Sequence, residues 1–289
     1  MSENKKEVKK VGIVGIVANL FLLCLKVIGG IFFKSQGLIA DAVNSFGDVF
    51  SSLVTFIGGK ISEKPEDNDH EFGHGKAEYV ASFLIGMFMI IVGADTLYTS
   101  SLSAIKNRVF EVSYILTLIP IITIITKIIL FIYTKHIAKK KHNDLINANS
   151  LDHRNDVMLS AGVLIGILFG YKGYYFVDGI VGSIISLIII ITGIKIAAKA
   201  YDILIDKCID ANISSELKEE IMKFEGVNHI DDIKSKPTGD KHILIIKISV
   251  NPNMTVLESH KIAGKIREQM RKNEKVYDAI VHINPDEEK

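Results

Sequence analysis

Long apolar runs constrain this chain more than any other feature of its sequence. Stretches such as Ile115–Phe131 and Ile180–Ile194 are almost free of charge, and about 18 or more predominantly apolar residues can cross a lipid bilayer as a helix. The average composition hides these runs, because 48% of the 289 residues are hydrophobic and 23% are charged. Residues 201–289 lack such runs and carry many charges. The chain is therefore predicted to hold a membrane domain followed by a soluble domain.

Six membrane-spanning helices can be drawn in the first part of the chain, each near the length of about 20 residues that bilayer thickness requires. We predict them at Val11–Phe33, Leu38–Gly59, Tyr79–Tyr98, Ser113–Tyr133, Ser150–Gly170 and Tyr175–Lys199. The first is too long for a signal-peptide core, so it is interpreted as an uncleaved span. The predicted domains are an all-α membrane domain at 1–208 and a soluble domain at 209–289.

The lysines predict the orientation of the spans in a cell membrane. An even number of spans places both termini on one side of the bilayer. Most of the lysines and arginines that lie outside the spans fall in the segments on that side. They include Lys5, Lys6, Lys9 and Lys10, which precede the first span. Because positive charge resists translocation, both termini are predicted to be cytoplasmic.

The soluble domain is predicted to be a small α+β sandwich with the element order αββαβ. Ser214 or Ser215 would cap a first helix that ends near Gly226, and Thr255 with Glu258 forms a capping-box pattern before a second helix. The strands are predicted at Asp232–Lys236, His242–Val250 and Ala279–Ile283.

The sequence contains no motif for chemistry on an organic substrate. It has no phosphate-binding Walker loop, no G-x-S-x-G elbow and no H-E-x-x-H, so we predict neither an enzyme nor a bound cofactor. The two cysteines, Cys24 and Cys208, lie far apart in the predicted topology and favour neither a disulfide nor a cysteine metal cluster. A net charge of +1 gives no indication of a nucleic-acid partner.

Polar residues inside two of the predicted spans point to an ion site. Asn44 and Asp48 lie four residues apart in the second span, and Asp152 and Asp156 lie four apart in the fifth, so each pair shares a helix face. Ionisable groups in a span normally face the protein interior or a water-filled cavity. The two pairs are predicted to meet near mid-membrane. Gly162, Gly166 and Gly170 would let the fifth span pack closely against the second.

Crowded carboxylates at mid-membrane favour a site that holds either a divalent cation or protons. Two carboxylates about 4 Å apart repel by about 4 kcal/mol at an effective dielectric constant of 20, so the empty, fully charged state is unfavourable. The alternative is that these groups only hold helices together or line a wet vestibule. Asp41 could attract ions at the mouth of the site, and His153 could replace Asp152 as a ligand if the fifth helix is rotated.

A second cluster follows the second span. Asp67, His70 and His74 combine a carboxylate with imidazoles, a set that suits zinc or another borderline cation. The alternative is a polar loop near lipid headgroups. In the soluble domain, several acidic residues and histidines are scattered over different elements, and each alone is more often a surface residue: Asp231, Asp232, His242, His260 and His282.

Two stretches of the sequence are distinctive. They read Asp-Asn-Asp-His-Glu-Phe-Gly-His-Gly-Lys-Ala-Glu at 67–78 and Ala-Asp-Ala-Val-Asn-Ser-Phe-Gly-Asp at 40–48. Both resemble the cation diffusion facilitator family, and the likeness covers nearly the whole chain. The resemblance implies a homodimer that exports divalent metal in exchange for protons by alternating access. It implies a transport site of Asn44, Asp48, Asp152 and Asp156 and an accessory loop site of Asp67, His70 and His74.

The resemblance also implies an interface lysine at Lys76, with Asp206 as a salt-bridge partner, and a metallochaperone-like, ferredoxin-like regulatory domain that dimerises. Departures from the family pattern bear on the metal. Zinc-transporting members usually place a histidine in the transport site, where this chain has only oxygen ligands, which resembles the manganese-exporting bacterial branch. Lys247 and Asn284 replace a histidine and an aspartate of the family's soluble-domain zinc set.

Four functional hypotheses remain from the sequence. The first is a manganese exporter, and the second is the same exporter carrying zinc, iron or cobalt. A metal sensor without transport is disfavoured by the carboxylates within the membrane spans, because sensing needs only the soluble domain. An intramembrane metalloenzyme is disfavoured because no span holds a His-Glu pair at helical spacing.

Overall fold

The structure is a computed structural model that describes residues 2–141, 144–239 and 241–286. Within these ranges, the side chains of 2–13, 55–56, 140–141, 144–146 and 148 are not described. The orientation argument therefore rests partly on side chains outside the described part, those of Lys5, Lys6, Lys9 and Lys10.

Six long helices account for most of the described chain before residue 205. They are α1 (Ser2–Phe33), α2 (Gln36–Ser62), α3 (Ala77–Ile105), α4 (Tyr114–Lys141), α5 (Asp144–Gly170) and α6 (Phe176–Leu204). Each overlaps one predicted span and is longer than it. The extra turns carry the helices past the apolar runs on which the predictions rested.

Four of these helices are long and apolar enough to cross a membrane: α1, α3, α4 and α6. Only 28–33% of the residues in their apolar windows are buried within the chain. Their outer faces expose large side chains such as Ile28, Ile31 and Phe32, at 67–68% of their surface. Water disfavours such continuous apolar faces, whereas lipid does not. A helical transmembrane domain is therefore confirmed, while a count of six spans stays a prediction because α2 and α5 carry the polar residues.

The chain divides into two compact units. One comprises residues 1–53 and 85–195, and the other comprises 54–84 and 196–289. In the first unit α4 packs extensively on α5 and also contacts α1. The predicted domain boundary at 208/209 stays a prediction.

The glycines of α5 face a different neighbour from the one predicted. A Cβ placed on Gly162 would lie 3.7 Å from the side chain of Val181, and one on Gly166 would lie 3.2 Å from Cα of Asp178. Both neighbours belong to α6. The prediction that this stripe packs against the second span is therefore wrong, since spacing shows which residues share a face but not which helix covers it.

A buried carboxylate anchors the start of α2. Asp178 of α6 is 1% exposed, and its two oxygens accept hydrogen bonds from Ser35 Oγ at 2.7 Å and from the backbone N–H of Gln36 at 2.6 Å. A negative charge at a helix N-terminus satisfies free N–H groups and complements the helix dipole. This contact fixes the position of the helix that carries Asn44 and Asp48.

The soluble domain has the expected order of elements. These are α7 (Ala211–Ile221), β1 (His229–Pro237), β2 (His242–Val250), α8 (Val256–Met270) and β3 (Val276–Pro285). The described sheet has the strand order β1-β2-β3, with β1 antiparallel and β3 parallel to the central strand. Alternate residues of β2 are buried beneath the two helices, including Leu244, Ile246 and Ile248 at 0% exposure.

The capping predictions had different outcomes. Thr255 and Glu258 form the predicted capping box of α8, in which each side chain bonds the other residue's backbone N–H. The prediction of Ser214 or Ser215 as the cap of α7 is wrong, because Asp210 caps it by accepting a hydrogen bond from the N–H of Asn212 at 2.9 Å. The same helix ends at Ile221 rather than near Gly226. Aspartate competes well for this position because it offers a charged acceptor.

Candidate metal sites

The polar pair of α2 lies on one helix face. Asn44 is half-buried and Asp48 is exposed in this conformation. Among the described residues, neither side chain has a hydrogen-bond or ion-pair partner. Their oxygens are therefore not committed to helix packing, which would have been the structural role for such groups.

The polar pair of α5 is split between two environments. Asp152 is exposed, whereas Asp156 is only 6% exposed. Asp156 Oδ2 accepts a hydrogen bond from Lys127 Nζ of α4 at 2.5 Å. His153 is buried at 2%, and in the described part of the chain neither of its ring nitrogens has a partner.

The acidic groups of α2 and α5 lie within electrostatic range of one another. Asp48 experiences the negative charges of Asp156 and Asp152 and the positive charges of Lys127 and Lys26. Among described residues, however, the predicted quartet is not drawn into a tight cluster of ligand atoms. The structure brings these residues into one region without assembling a coordination shell.

Asp41 does not have the role that its position suggested. It is 0% exposed, and its Oδ1 lies 2.9 Å from Lys26 Nζ of α1. Its Oδ2 accepts a hydrogen bond from Ser160 Oγ of α5 at 2.8 Å, and Lys26 also donates to Ser45 Oγ at 2.9 Å. The prediction that Asp41 attracts ions at a mouth is therefore wrong, because its carboxylate is buried and pairs with residues of α1 and α5.

Sequence reasoning missed the two lysines that are buried among the described side chains, Lys26 and Lys127. Both lie inside runs that were read as apolar, and their long aliphatic stems fit such runs. A signal was available, because a charge inside a span needs a partner and is seldom accidental. Two acidic spans and two lysine-bearing spans in one chain predict ion pairs between them.

The loop cluster is assembled. His70 Nδ1 lies 3.1 Å from Asp67 Oδ1, and His74 Nε2 lies 3.4 Å from Asp67 Oδ2. One ligand atom from each of the three residues falls within 4.8 Å of the others. Gly73 adopts a φ of 72°, a conformation that favours glycine and lets the loop turn between the two imidazoles.

Local hydrogen bonds hold the carboxylate of Asp67 in its charged form. Partial desolvation raises the pKa of this carboxyl, but bonds from the backbone N–H and ring of His70 and from the N–H of Asp69 outweigh it and lower the pKa below its ordinary value. A carboxylate with two neighbouring imidazoles suits a borderline divalent cation.

An ion pair links the end of the loop to the segment after α6. Lys76 Nζ lies 2.7 Å from Asp206 Oδ1, and Lys236 lies 3.8 Å from Oδ2. The hydrogen bond from Lys76 lowers the pKa of Asp206 below its ordinary value. The pairing of Lys76 with Asp206 is as the resemblance implied, and the structure shows it within one chain.

The candidate ligands of the soluble domain do not form a comparable cluster within the part of the chain that the structure describes. Asp231 accepts hydrogen bonds from Ser249 and Asn284 and lies 2.8 Å from His229 Nε2, and the bond from Asn284 is the largest cause of its lowered pKa. His282 pairs in register with Lys247 across the sheet. Asp232, His242 and His260 lie on separate elements. Within the described residues, Asp231 is therefore engaged by neutral donors and a single histidine.

These features define a membrane protein that handles cations. Residues 12–205 match the family model for the cation efflux transmembrane domain, and residues 209–286 match that for the cytoplasmic domain of cation efflux proteins. The first match alone covers more than half of the chain. The chain therefore belongs to the cation efflux family, the cation diffusion facilitators, as the resemblance implied.

Several characterised and uncharacterised transporters are similar to this chain along almost its full length. The manganese efflux system protein MneP of Bacillus subtilis (strain 168) is 29% identical over 292 residues, covering 98% of each chain. MneS of the same organism, also described as a manganese efflux system protein, is 30% identical over 277 residues, covering 96% of this chain and 95% of its own. The cation-efflux pump FieF of Salmonella typhi is 24% identical over 264 residues, covering 91% and 88%.

Proposed function

We propose that this cation efflux transporter exports manganese from the cytoplasm in exchange for protons. The observation that carries the proposal is the grouping of acidic residues from α2 and α5, in which Asp48 experiences the charges of Asp152 and Asp156. With Asn44, these groups supply hard oxygen ligands and no nitrogen, a set that suits manganese better than zinc. The names of the similar Bacillus proteins point to the same metal.

The exchange of metal for protons follows from the negative charge of the proposed site. Three carboxylates in one membrane region repel one another, so they favour either a bound divalent cation or bound protons. An ion taken from the cytoplasm would be released when the site opens outward and protons replace it. Because the quartet is not assembled in this conformation, we infer that movement of α2 relative to α5 forms and dissolves the site, as alternating access requires.

The proposal also covers the oligomeric state of the protein and its orientation in the membrane. The chain would work as a homodimer in the cell membrane, with six spans and both termini in the cytoplasm. The match to the cytoplasmic domain of cation efflux proteins supports a cytoplasmic position for residues 209–286. The loop cluster would then also face the cytoplasm, where Asp67, His70 and His74 would form an accessory metal site.

One observation favours zinc as a second candidate substrate. His153 is buried, lies three residues before Asp156, and has two ring nitrogens without partners among the described residues. A small rotation of α5 would exchange Asp152 for this imidazole. Such a site would contain the nitrogen that zinc prefers.

Transport in proteoliposomes with an imposed pH gradient tests the proposal. Uptake rates for Mn²⁺, Fe²⁺, Co²⁺, Zn²⁺ and Cd²⁺ give the substrate order, and we expect manganese first. A much faster rate for zinc that is lost in His153→Gln would instead support the second candidate. No movement of any metal across a sealed bilayer would favour a sensor and contradict the transporter function.

Proton exchange needs its own measurement. Titration calorimetry with Mn²⁺, repeated in buffers of different ionisation enthalpy, gives the number of protons released for each metal ion bound. We expect release to be clear and the affinity to fall as the pH drops from about 8 to about 6, because protons and metal compete for the same carboxylates. Metal binding without proton release across that range would contradict the exchange mechanism.

A further inference from the structure

The proposed transport site already contains a cation that belongs to the protein. Lys127 of α4 is 3% exposed, and its ammonium group lies 2.5 Å from Asp156 Oδ2 and 2.7 Å from Asn19 Oδ1 of α1. The side chain of Asp156 is itself only 8% exposed. A proposed metal ligand is therefore held by a charge-assisted hydrogen bond from a tethered ammonium.

We propose that Lys127 is a tethered counter-cation that selects divalent over monovalent ions, occupying Asp156 when metal is absent and leaving it when metal binds. This inference rests on the proposed transport site. An ammonium group and a divalent ion held by the same carboxylate repel each other strongly, even when each contacts a different oxygen. Binding of the metal through Asp156 therefore drives the ammonium group away from Oδ2.

The other buried lysine, Lys26, has different partners. Lys26 is 0% exposed, lies 2.9 Å from Asp41 Oδ1 and donates a hydrogen bond to Ser45, while Ser160 donates one to Asp41 Oδ2. None of these residues is a proposed ligand. The carboxylate of Asp156, by contrast, has Lys127 as its side-chain partner within the described residues. Only this second pair can exchange a protein cation for an incoming one.

A displaced ammonium group needs another acceptor, because it remains buried. Asn19 Oδ1 already accepts a hydrogen bond from it. His153 lies within electrostatic range of both Lys127 and Asp156, and its ring nitrogens have no partner in the described structure. Buried polar atoms without partners are uncommon and call for an explanation. A neutral imidazole offers one acceptor nitrogen, so His153 can receive the ammonium group when metal takes Asp156.

The competition between the Lys127 ammonium group and incoming cations for Asp156 makes the site select divalent over monovalent ions. A monovalent ion brings the same charge as the ammonium group, which is tethered beside Asp156 at a high effective concentration. Sodium or potassium therefore gains nothing by displacing it. A divalent ion brings twice the charge and interacts with Asp48 and Asp152 as well, so it can displace the ammonium group. Lys127 would thus keep the abundant monovalent cations out of an acidic site.

Calorimetric binding of Mn²⁺ to the detergent-solubilised full-length protein tests this role. A His70→Ala, His74→Ala background removes the loop cluster, so that the signal reports the membrane site. In Lys127→Met we expect about tenfold or tighter Mn²⁺ binding, because the competing charge is gone. Replacing N-methylglucamine by potassium at equal ionic strength should weaken Mn²⁺ binding to this variant but not to the parent, since screening is the same in both salts.

Three further variants make the result interpretable. Lys127→Arg keeps the charge and should retain the parent's affinity and its indifference to potassium. Lys127→Gln removes the charge but keeps a donor toward Asp156, so it should behave as Lys127→Met while preserving the fold. The combined Lys26→Met, Asp41→Asn variant removes one positive and one negative charge together, so the net charge around Asp48 is unchanged and Mn²⁺ affinity should change by less than about twofold.

Several results would overturn the role of Lys127. Unchanged or weaker binding in both neutral variants would do so, and so would failure of both to assemble when Lys127→Arg assembles. Asp48→Ala in the same background separates this inference from the proposed function. Normal Mn²⁺ binding to Asp48→Ala would contradict the transport site itself, whereas loss there combined with no gain in Lys127→Met and Lys127→Gln would contradict only the counter-cation.

Discussion

The two proposed metal sites differ in how ready they are for an ion. The loop cluster has its three ligand groups within 4.8 Å of one another, on a short segment turned by Gly73. The proposed ligands of the transport site form what we call the membrane set: Asn44, Asp48, Asp152 and Asp156. This set is spread over two helices, with Asp48 and Asp152 exposed and Asp156 bonded to Lys127. Groups that can bind a metal are therefore assembled in one place and dispersed in the other.

This difference matches the separate tasks proposed for the two sites. An assembled site requires little rearrangement to hold an ion, so it retains that ion well. A transporter must release its ion on the opposite side of the membrane, which a permanently assembled site would hinder. Ligands on separate helices form a complete site only in some arrangements of those helices, so the conformation controls both binding and release.

The largest predicted effect is loss of transport on removing a carboxylate of the membrane set. Asp48→Ala and Asp156→Ala should each reduce Mn²⁺ transport at least about 100-fold, since even loss of an outer-shell partner can weaken a metal site 10- to 100-fold. Uptake into proteoliposomes is the measurement. Asn155→Ala, an exposed neighbour on α5, is the control and should transport normally. Near-normal rates in both aspartate variants would contradict the site.

The same two variants should differ in stability. Asp156→Ala leaves the buried ammonium of Lys127 without its counter-charge, and breaking a buried pair in this way costs about 3–5 kcal/mol. Asp48 is exposed and without a partner among the described residues, so Asp48→Ala should keep the Tm of the parent. Thermal unfolding in detergent checks this. Equal stability of the two variants would show that Lys127 finds another counter-charge.

A change of metal preference is expected next in size. Asp152→His adds a nitrogen ligand on the same helix face and removes one negative charge, and its exposed position tolerates the larger ring. We expect the ratio of zinc to manganese uptake to rise about tenfold, because imidazole suits zinc better than manganese. Asn44→His should raise it less, since a carboxylate remains at 152. A parent protein that already strongly prefers zinc would contradict the manganese assignment.

Removing the assembled site should have a smaller effect on transport than removing the dispersed one. His70→Ala with His74→Ala should abolish metal binding at the loop and lower the transport rate only a few-fold, because neither residue belongs to the membrane set. Calorimetry and uptake measured on the same preparation distinguish the two effects. Complete loss of transport with the membrane site still binding Mn²⁺ would show that the loop is essential to the transport cycle.

The smallest effect is expected from the ion pair beside the loop. Because Lys76 lowers the pKa of Asp206, this pair contributes stability above the ordinary carboxyl pKa near 3.9, and the contribution is lost as the pH falls through the lowered value. Asp206→Asn should therefore lower the Tm modestly at neutral pH and not at strongly acidic pH. Lys236→Met, which removes the longer 3.8 Å contact, should change it less. A difference that persists at acidic pH would mean that the pair is not its cause.

Much of the architecture could be predicted because it depends on local patterns. Apolar runs long enough to cross a bilayer located the long helices, and the Thr255–Glu258 capping box located the start of α8. The alternation of buried and exposed residues over 244–248 of β2 is a similarly local property. Which of several nearby polar residues caps a helix was harder to predict. Asp210, rather than either of the predicted serines, caps α7.

The candidate site could be predicted only as a set of residues. Helical spacing placed Asn44 with Asp48 and Asp152 with Asp156 on common faces. It did not show that His153 and Asp156 lie on the buried face of α5 while Asp152 is exposed. The rotation of a helix depends on the neighbours that pack against it, which spacing along one chain segment does not contain.

The sequence alone determined that this chain has a membrane domain with acidic residues inside it, because bilayer thickness and the energy of buried charge act on any segment of that composition. It also determined the loop cluster, whose ligands are close along the chain. Only the tertiary structure decided which charges meet. The pairing of Lys26 with Asp41 joins α1 to α2, and that of Lys127 with Asp156 joins α4 to α5. These contacts depend on how neighbouring helices pack in three dimensions, which the spacing of residues within one helix does not contain.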